Sequence, residues 1–399
     1  MARPLNFLCI SSEFKGQTFL RTCHEQGNNV YLLTCEHLRG EDWPHDIIRD
    51  SFYLPEKTSA DWKIEDVIAG LAFTSRHNPI DRVVALDDFD VEIAANLREY
   101  FRIPGMGQTT ARHFRDKLSM RMKAAEHGIP IPAFTALFSD DAVNHFCKTV
   151  PAPWLIKPRT AASASGIQKI TNTDELWEAL NKLGEKRHEY LLESFAPGIV
   201  YHVDSINAQG KPVFTLVSEY LDTPFEVAHG GGIFRSQTLK RNSAEEKELK
   251  KLNAEIMEVF GMQYSASHTE FIKDEASGLF YFLETSSRVA GAHLSEMVEA
   301  ATGISLWREW AILEDRMARS KPYKAPKPEK RNAGIVVSLA RMEHPDDSVF
   351  TDSEIVWRMK KDWHIGLIVA SNRYDKIRKL LDKYAETIAS DFHASGSGT

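Results

Sequence analysis

The first hundred residues alternate apolar strands with amphipathic helices, and this alternation restricts the fold more than any other feature of the chain. Strands are predicted for LNFLCI, VYLLTC and DRVVALDD, and helices for TFLRTCHEQG and VEIAANLREYF. Such alternation predicts βαβ units, and therefore an α/β (α+β) fold whose first domain is a parallel sheet with covering helices. No G-x-G-x-x-G motif follows the first strand, so a dinucleotide site is poorly supported.

A later segment, FIKDEASGLFYFLE, predicts a β-hairpin that brings two carboxylates together. Its strands flank a polar turn at 274–278, with Glu270 near the start of one strand and Glu284 near the end of the other. Carboxylates that close repel each other unless a cation lies between them, and hard oxygen ligands favour Mg²⁺. Arg288 follows four residues later and could meet an anion held by the metal. An isolated pair of acids also fits a solvated surface hairpin, so this interpretation depends on the neighbouring segments.

A second candidate anion site follows the apolar strand PWLIKPR. Lys157 lies at the end of this strand and precedes a loop of small residues at 160–166. Small residues let backbone N–H groups approach an anion, and a lysine adds positive charge. The loop lacks the G-K-[ST] of a Walker A motif, and a solvated lysine at a strand end is the alternative for this segment taken alone.

Composition narrows the class of protein. The chain has 399 residues, 43% of them hydrophobic, which is enough for two or three domains with real cores. Its net charge of −7 argues against a general nucleic-acid binder. The four cysteines show no CxxC spacing and indicate a reduced compartment. No apolar run reaches the length of a membrane span and no signal peptide is evident, so we expect a cytoplasmic protein without a membrane partner.

The order of these segments is more specific than any one of them. Arg115-Asp116-Lys117 precede HGIPIP, and then follow IKPR with its small-residue loop, LLESFAPG, HTEF, and ETSSR before GAH. This succession, over about residues 1 to 310, resembles the ATP-grasp superfamily, and within it the carboxylate–amine ligases of the L-amino-acid ligase and D-alanine–D-alanine ligase type. The resemblance implies that ATP lies between two antiparallel sheets.

The resemblance also implies roles for particular residues. Lys117 and Lys157 would bind ATP phosphates, Glu270 and Glu284 would hold one or two Mg²⁺, and Arg288 would stabilise the acyl phosphate and the tetrahedral intermediate. Mn²⁺ is a candidate substitute for Mg²⁺. The remaining nucleotide residues would be Ser163, Ser165 and Gly166 in the phosphate loop, and Glu193, Ser194, Phe195 and Ala196 in the hinge, where the Glu193 side chain and the backbone would meet the adenine amine.

Two positions depart from the family pattern. Ser286 stands where the family usually has an Asn ligand, and its hydroxyl is a weaker ligand for a second metal. The family usually has a ribose-binding Glu shortly after the hinge. The corresponding position here is near Val200, whose side chain cannot form a hydrogen bond with a hydroxyl group. His202, two residues further along the same strand face, could replace it, and a packed histidine is the equal alternative.

The resemblance over residues 1 to 310, together with the composition of the segments after it, predicts six segments. They are a pre-ATP-grasp α/β domain at 1–108, a small lid subdomain with its linking helix at 109–198, a large subdomain with the metal site at 199–320, a linker at 321–332, a C-terminal α+β subdomain at 333–393 and a disordered tail at 394–399. Three local predictions accompany them: a single helix at about 111–127, an edge or mixed strand at VYHVDSI and a flexible loop at HGGGIF.

The predicted function is ATP-dependent joining of a small-molecule carboxylate, expected to be an amino acid, to an amine through an acyl phosphate. Candidate substrate residues are His229 and Arg235 around three glycines, and His268 on the metal face of its strand. The alternatives are a bicarbonate- or formate-using ATP-grasp ligase and a catalytically weak ATP-binding module. A homodimer is expected by analogy alone.

Overall fold

The computed structural model describes residues 3–162 and 165–394. Its first sheet is parallel, with the strand order β3-β2-β1-β4. The strands are β1 (Asn6–Ser11), β2 (Asn29–Cys35), β3 (Ile48–Leu54) and β4 (Arg82–Ala85), and the helices are α1 (Gln17–Glu25), α2 (Ile64–Ser75) and α3 (Val91–Phe101). All three pairings are parallel, which confirms the predicted N-terminal sheet with covering helices. Asp87 and Asp88 follow β4, at the edge where ligands usually bind to such sheets.

The second sheet is small and antiparallel, in the order β5-β8-β6-β7. Its elements are β5 (Phe134–Ala136), β6 (Trp154–Pro158), β7 (Gln168–Ile170), β8 (Tyr190–Ser194), α6 (Asp140–Thr149) and α7 (Thr173–Leu183). Leu176 and Leu180 of α7 are fully buried in one cluster with Ile156 and Leu192 of the sheet. This packing places Lys157 and Glu193 on adjacent strands.

The third sheet has eight strands in the order β13-β12-β9-β10-β11-β14-β16-β15, all antiparallel to their neighbours. They are β9 (Gly198–Ala208), β10 (Lys211–Tyr220), β11 (Phe234–Thr238), β12 (Tyr264–Asp274), β13 (Phe280–Ser286), β14 (Asn332–Leu339), β15 (Ile355–Arg358) and β16 (His364–Ser371). The helices that follow or flank them are α9 (Ala244–Val259), α10 (Leu294–Thr302), α11 (Leu306–Ala318) and α12 (Tyr374–Asp391).

The predicted edge position of VYHVDSI is wrong. This segment belongs to β9, which lies between β10 and β12 and pairs with both. Its polar side chains suggested an exposed face, but His202, Asp204 and Asn207 are fully buried and hydrogen-bonded to other side chains inside the protein. Alternation of polar and apolar residues therefore marks a buried polar network here and not solvent exposure.

The C-terminal strands extend the large sheet. β14 pairs with β11, and β16 and β15 follow it outward, so residues 333–393 share one sheet with the segment that carries the two glutamates. Ile377, Leu381 and Tyr384 of α12 are buried in one cluster with Val336 and Leu367 of these strands. Between α11 and β14, residues 321–331 contain neither helix nor strand, and Asn332, the last residue of the predicted linker, begins β14.

Two local predictions are corrected. The single helix at 111–127 is instead two helices, α4 (Gln108–Arg112) and α5 (Lys117–Glu126), because the Asp116 carboxylate accepts hydrogen bonds from the backbone N–H groups of Leu118 and Ser119 and caps α5. The predicted HGGGIF loop contains the end of α8 (Pro224–Gly230), which begins at a capping box formed by Thr223 and Glu226.

Among the described residues, no helix combines the length and the apolar character that a bilayer-spanning segment requires.

Candidate active site

The two glutamates lie directly opposite each other on the predicted hairpin. Strands β12 and β13 pair in antiparallel register with Glu270 facing Glu284, and a bulge follows at Phe271. The turn between the strands is stabilised by Asp274, whose carboxylate accepts hydrogen bonds from the backbone N–H and hydroxyl groups of Ser277. Directly opposed residues of an antiparallel pair point to the same face of the sheet. The hairpin prediction is confirmed, and both carboxylates belong to one face.

Each glutamate has a donor on one oxygen. The Tyr220 hydroxyl donates to Glu270 Oε1 at 2.8 Å, and Lys117 Nζ lies 2.7 Å from Glu284 Oε2. Burial would raise the pKa of Glu270, but His268 and Tyr220 outweigh it and hold that pKa below its usual value. Glu270 is therefore ionised, as a metal ligand must be.

Ser286 completes a set of oxygen donors on this face. It lies two residues after Glu284 on β13, and its buried Oγ has no hydrogen-bond partner within residues 3–162 and 165–394. A buried hydroxyl without a partner is costly unless a ligand satisfies it. Two carboxylates and one hydroxyl are hard oxygen ligands, so the residues present fit Mg²⁺.

The glutamates line a cleft of about 860 Å³ whose walls come from the two antiparallel sheets and the loop after β4. Twelve of the site residues predicted from sequence line this cleft: Lys117, Lys157, Ser165, Glu193, Ser194, Phe195, Ala196, His268, Glu270, Glu284, Ser286 and Arg288. Gly166 follows Ser165 in the loop beside Pro158, where a Cβ would lie 2.9 Å from the proline Cγ and where φ is +71°. Only glycine fits this position without strain. Ser163 lies outside the described residues.

The hinge end of the cleft contains a buried ion triad. Arg121 Nε lies 2.6 Å from one oxygen of Glu193, and Lys157 binds the other oxygen. Burial would raise the pKa of Glu193, but the two cations outweigh it and lower that pKa. The Glu193 carboxylate is thus occupied by protein cations. The assignment of its side chain to the adenine amine stays a prediction.

Arg121 was missed in the sequence analysis. It lies four residues after Lys117 on α5, and residues at this spacing share a face of a helix. Its guanidinium also donates to the Leu283 carbonyl oxygen, which joins the helix to the strand that carries Glu284. The four-residue spacing from Lys117 is the sequence feature that could have identified Arg121.

Arg288 meets a carboxylate from the N-terminal sheet. One guanidinium nitrogen pairs with Asp88 Oδ2, and another donates to the Val289 carbonyl oxygen at 3.1 Å. Burial would lower the pKa of Arg288, but the carboxylates of Asp88 and Asp87 reverse this and raise it. Asp88 also lines the cleft and was not predicted as a site residue. The available signal was its position after β4, at the carboxyl edge of a parallel sheet.

His268 lies in the cleft at the end of a buried polar chain. Its Nδ1 is 2.9 Å from Asp204 Oδ1, the other Asp204 oxygen is 2.8 Å from His202 Nδ1, and His202 Nε2 is 2.8 Å from the Ser236 hydroxyl. Burial would lower the pKa of His268, but Asp204 outweighs it and raises that pKa to about 10. The ring is therefore a fixed cation beside Glu270, with Nε2 at 3.5 Å from Glu270 Oε1.

Three predicted residues do not reach the cleft. His202 is fully buried, and both of its ring nitrogens are hydrogen-bonded. The Tyr220 ring packs against it with 4.7 Å between the two ring centroids. The assignment of His202 to the ribose is therefore wrong. Arg235 pairs with Asp222 at 2.8 Å and with Asp382 at 2.9 Å, which leaves it a structural role between β11 and α12. His229 is exposed on α8.

His229 instead connects α8 to the phosphate loop. Its Nδ1 lies 2.9 Å from the Phe225 carbonyl oxygen within the helix, and its Nε2 lies 3.0 Å from the carbonyl oxygen of Ile167. The structure therefore assigns neither His229 nor Arg235 to the cleft wall, because their polar atoms bind other parts of the chain.

Three sheets around a cleft that carries these lysines, acids and arginine define an ATP-grasp fold. No family model matches the chain. In sequence it is 26% identical over 235 residues to an L-arginine-specific L-amino acid ligase of Bacillus subtilis, a match that covers 57% of this chain and 56% of that protein. It is 23% identical over 218 residues to a D-alanine–D-alanine ligase of Cupriavidus pinatubonensis, covering 52% of this chain and 66% of that protein. The chain thus spans less than two thirds of the length of both relatives.

Solved structures match over almost the whole chain. An L-amino acid ligase from Bacillus licheniformis superposes with a TM-score of 0.73 at 16% identity and covers 98% of this chain and 99% of its own. An N5-carboxyaminoimidazole synthetase from Staphylococcus aureus complexed with ADP gives a TM-score of 0.69 at 14% identity and covers 96% of each chain. The predicted ATP-grasp fold and the predicted relationship to amino-acid ligases and D-alanine–D-alanine ligases are confirmed.

Proposed function

We propose that this protein is an ATP-dependent carboxylate–amine ligase that forms an amide bond between small molecules through an acyl phosphate. The observation that carries the proposal is the pairing of Glu270 with Glu284 on the wall of a cleft that also holds Lys117, Lys157 and Arg288. The residues proposed to bind the metal, the phosphates and the oxyanion thus line one cleft. The names of the sequence relatives, an L-amino acid ligase and a D-alanine–D-alanine ligase, support amino acids as the substrates.

ATP would lie with its base at the hinge end. There Leu155, Ile272, Leu283 and Phe195 line the cleft, and Lys169 Nζ lies 3.9 Å from the centroid of the Phe195 ring. Apolar walls with a few polar groups suit a purine ring. The phosphates would extend toward Lys117 and the loop around Ser165, where positive charge and backbone N–H groups favour anions.

Glu270 and Glu284, with Ser286 as a weaker third ligand, would hold one or two Mg²⁺, for which Mn²⁺ is a candidate substitute. The bound ion would neutralise negative charge on the transferred phosphoryl group. The Tyr220 hydroxyl and the His268 ring orient Glu270, and Lys117 neutralises Glu284, so the chain itself fixes the direction of both carboxylates.

The reaction needs no protein nucleophile. An oxygen of the acid substrate attacks the γ-phosphorus of ATP, the bond to the β-phosphate oxygen breaks, and ADP leaves with both electrons of that bond. The amine then attacks the acyl carbon, loses a proton, and phosphate leaves. Arg288 would donate to the oxyanion in this second step, a contact worth roughly 3–4 kcal/mol in comparable sites. The surrounding sheets limit access of water to the acyl phosphate.

The test is a screen for Mg²⁺-dependent phosphate release from ATP with amino-acid pairs, followed by mass spectrometry of the products. We expect an amide product with at least one pair and no release by Glu284→Gln. Bicarbonate and formate are included as alternative acids. Phosphate release with these acids alone would replace the amino-acid proposal, and nucleotide binding without turnover across the whole panel would identify a binding module.

By analogy with related ligases we also propose a homodimer in solution. Static light scattering on the 45.2 kDa chain distinguishes a dimer from a monomer directly. A monomeric mass at working concentration would remove this part of the proposal.

A further inference from the structure

Asp88 is a buried acid that the proposed chemistry has not used. It comes from the loop after β4, lies 200 residues from its partner Arg288 in sequence, and lines the cleft. Arg288 binds its Oδ2, while its Oδ1 is buried and has no hydrogen-bond partner in the described part of the chain. A carboxylate oxygen left without a donor in a binding cleft indicates a ligand that supplies one.

The other acids of the cleft wall have donors from the protein or are exposed. Glu193 is bound by Arg121 and Lys157, Glu284 by Lys117, and Glu270 by Tyr220. Asp222 pairs with Arg235. Glu226 is used in the capping box of α8, and Glu275 is exposed on the hairpin turn. Among the acids of this wall in the described part of the chain, Asp88 alone has a carboxylate oxygen that is itself buried and lacks a hydrogen-bond partner.

The position of Asp88 relative to Arg288 suggests what the ligand is. The proposed function places the carboxylate of the acid substrate, or its acyl phosphate, beside Arg288. In an amino acid the ammonium group is separated from the carboxylate by a short carbon chain. A cation and an anion held side by side in the protein are complementary to a zwitterion of this size. Arg115 also lines this end of the cleft and lies 4.9 Å from the centroid of the Phe89 ring, so the local charge is mixed.

We propose that Asp88 binds the ammonium group of the acid substrate and thereby selects amino acids over carboxylic acids that lack an amino group. This inference rests on the proposed ligase function. It deepens that function by naming the substrate class and the residue that recognises it. Asp88 would act in binding, through a charge-assisted hydrogen bond from the substrate ammonium group to Oδ1, while its Oδ2 keeps Arg288 in place. No covalent step is assigned to it.

The test uses hydroxylamine as the amine, because it captures the acyl phosphate as a hydroxamate without needing the second substrate. The acid is the amino acid that gives the fastest phosphate release in the pair screen, compared with its analogue lacking the amino group. For Asp88→Asn we expect the KM for the amino acid to rise about 10- to 100-fold, as loss of a charged hydrogen bond predicts, with less than about a threefold change for the analogue. Asp88→Glu, which keeps the charge, should retain part of the preference.

The matched control is Asp87→Asn, the neighbouring acid, which pairs with Lys15. It should leave the preference between the two acids unchanged. Mg-ATP calorimetry and circular dichroism of each variant check that the fold is intact. A wild-type enzyme that does not prefer the amino acid, or an Asp88→Asn variant whose kcat falls equally for both acids at constant KM, would overturn the inference. No hydroxamate from wild type with any acid would instead contradict the ligase function itself.

Discussion

Each end of the cleft contains buried charged side chains that pair with each other. The two ends differ in whether every charged group has a protein partner. At the hinge end, both Glu193 oxygens are bound by cations, Arg121 and Lys157, and the side chain is about 1% exposed. At the opposite end, the pair of Arg288 and Asp88 leaves Arg288 Nε and Asp88 Oδ1 without partners among the described residues. The first arrangement is satisfied by the protein alone. The second one retains hydrogen-bonding capacity for a ligand.

This difference distinguishes charged groups that stabilise the fold from charged groups that can bind a ligand. A buried triad with all partners in place contributes a fixed geometry, and removal of one member leaves an uncompensated buried charge. An incomplete pair is tolerated where binding supplies the missing contact, which is usual at active sites. We therefore expect mutations at the hinge end to act on folding, and mutations at the Arg288 end to act on turnover.

The largest effect is expected at the hinge. Glu193→Gln should reduce the free energy of unfolding by roughly 3–5 kcal/mol, since Arg121 and Lys157 would remain buried without an anion. Equilibrium urea unfolding measures the change. The matched control is Glu178→Gln, which removes an exposed partner of Lys182 in the same subdomain and should cost less than about 1 kcal/mol. Equal effects of the two variants would show that the triad does not stabilise the lid.

Arg288→Ala should affect chemistry and leave Mg-ATP affinity nearly unchanged. We expect turnover to fall by about two orders of magnitude or more, because the developing oxyanion loses its donor. Steady-state kinetics give the turnover and calorimetry gives the nucleotide affinity. A parallel loss of both quantities would assign Arg288 to ATP binding instead.

A smaller effect is expected at Asp90, a buried acid that forms no ion pair with another described residue. Burial, and then repulsion from Asp87, raise the pKa of Asp90 to about 7. A raised carboxyl pKa means that the folded state holds a proton that the unfolded state has released, so stability is lost as pH rises from about 4 to about 7. Asp90→Asn should therefore gain on the order of 2 kcal/mol near pH 8 and little near pH 4. Urea unfolding at both pH values measures this gain.

The control for Asp90 is the same substitution at an exposed acid, Asp46→Asn, measured at the same two pH values. A constant difference between Asp90→Asn and wild type at all pH values would show that Asp90 stays ionised in the folded protein.

Features set by neighbouring residues could be predicted from the sequence. The hairpin of Glu270 and Glu284 depends on one turn and two short strands, and the N-terminal βαβ units depend on local periodicity. The contacts made by Arg288 and Glu193 could not be derived, because Asp88 and Arg121 are distant from them in the chain. His202 was misassigned because strand periodicity gives the face of the sheet but not whether another side chain, here Tyr220, covers it.

The account depends most on the two opposed glutamates, and calorimetric titration of ATP with and without Mg²⁺ tests them most directly. For Glu284→Gln we expect the Mg²⁺-dependent part of nucleotide affinity to disappear, while Glu255→Gln, the same change at an exposed position of α9 that is not part of the cleft lining, should behave like wild type. Wild-type Mg-ATP affinity in Glu284→Gln would contradict the assignment of this face as the metal site.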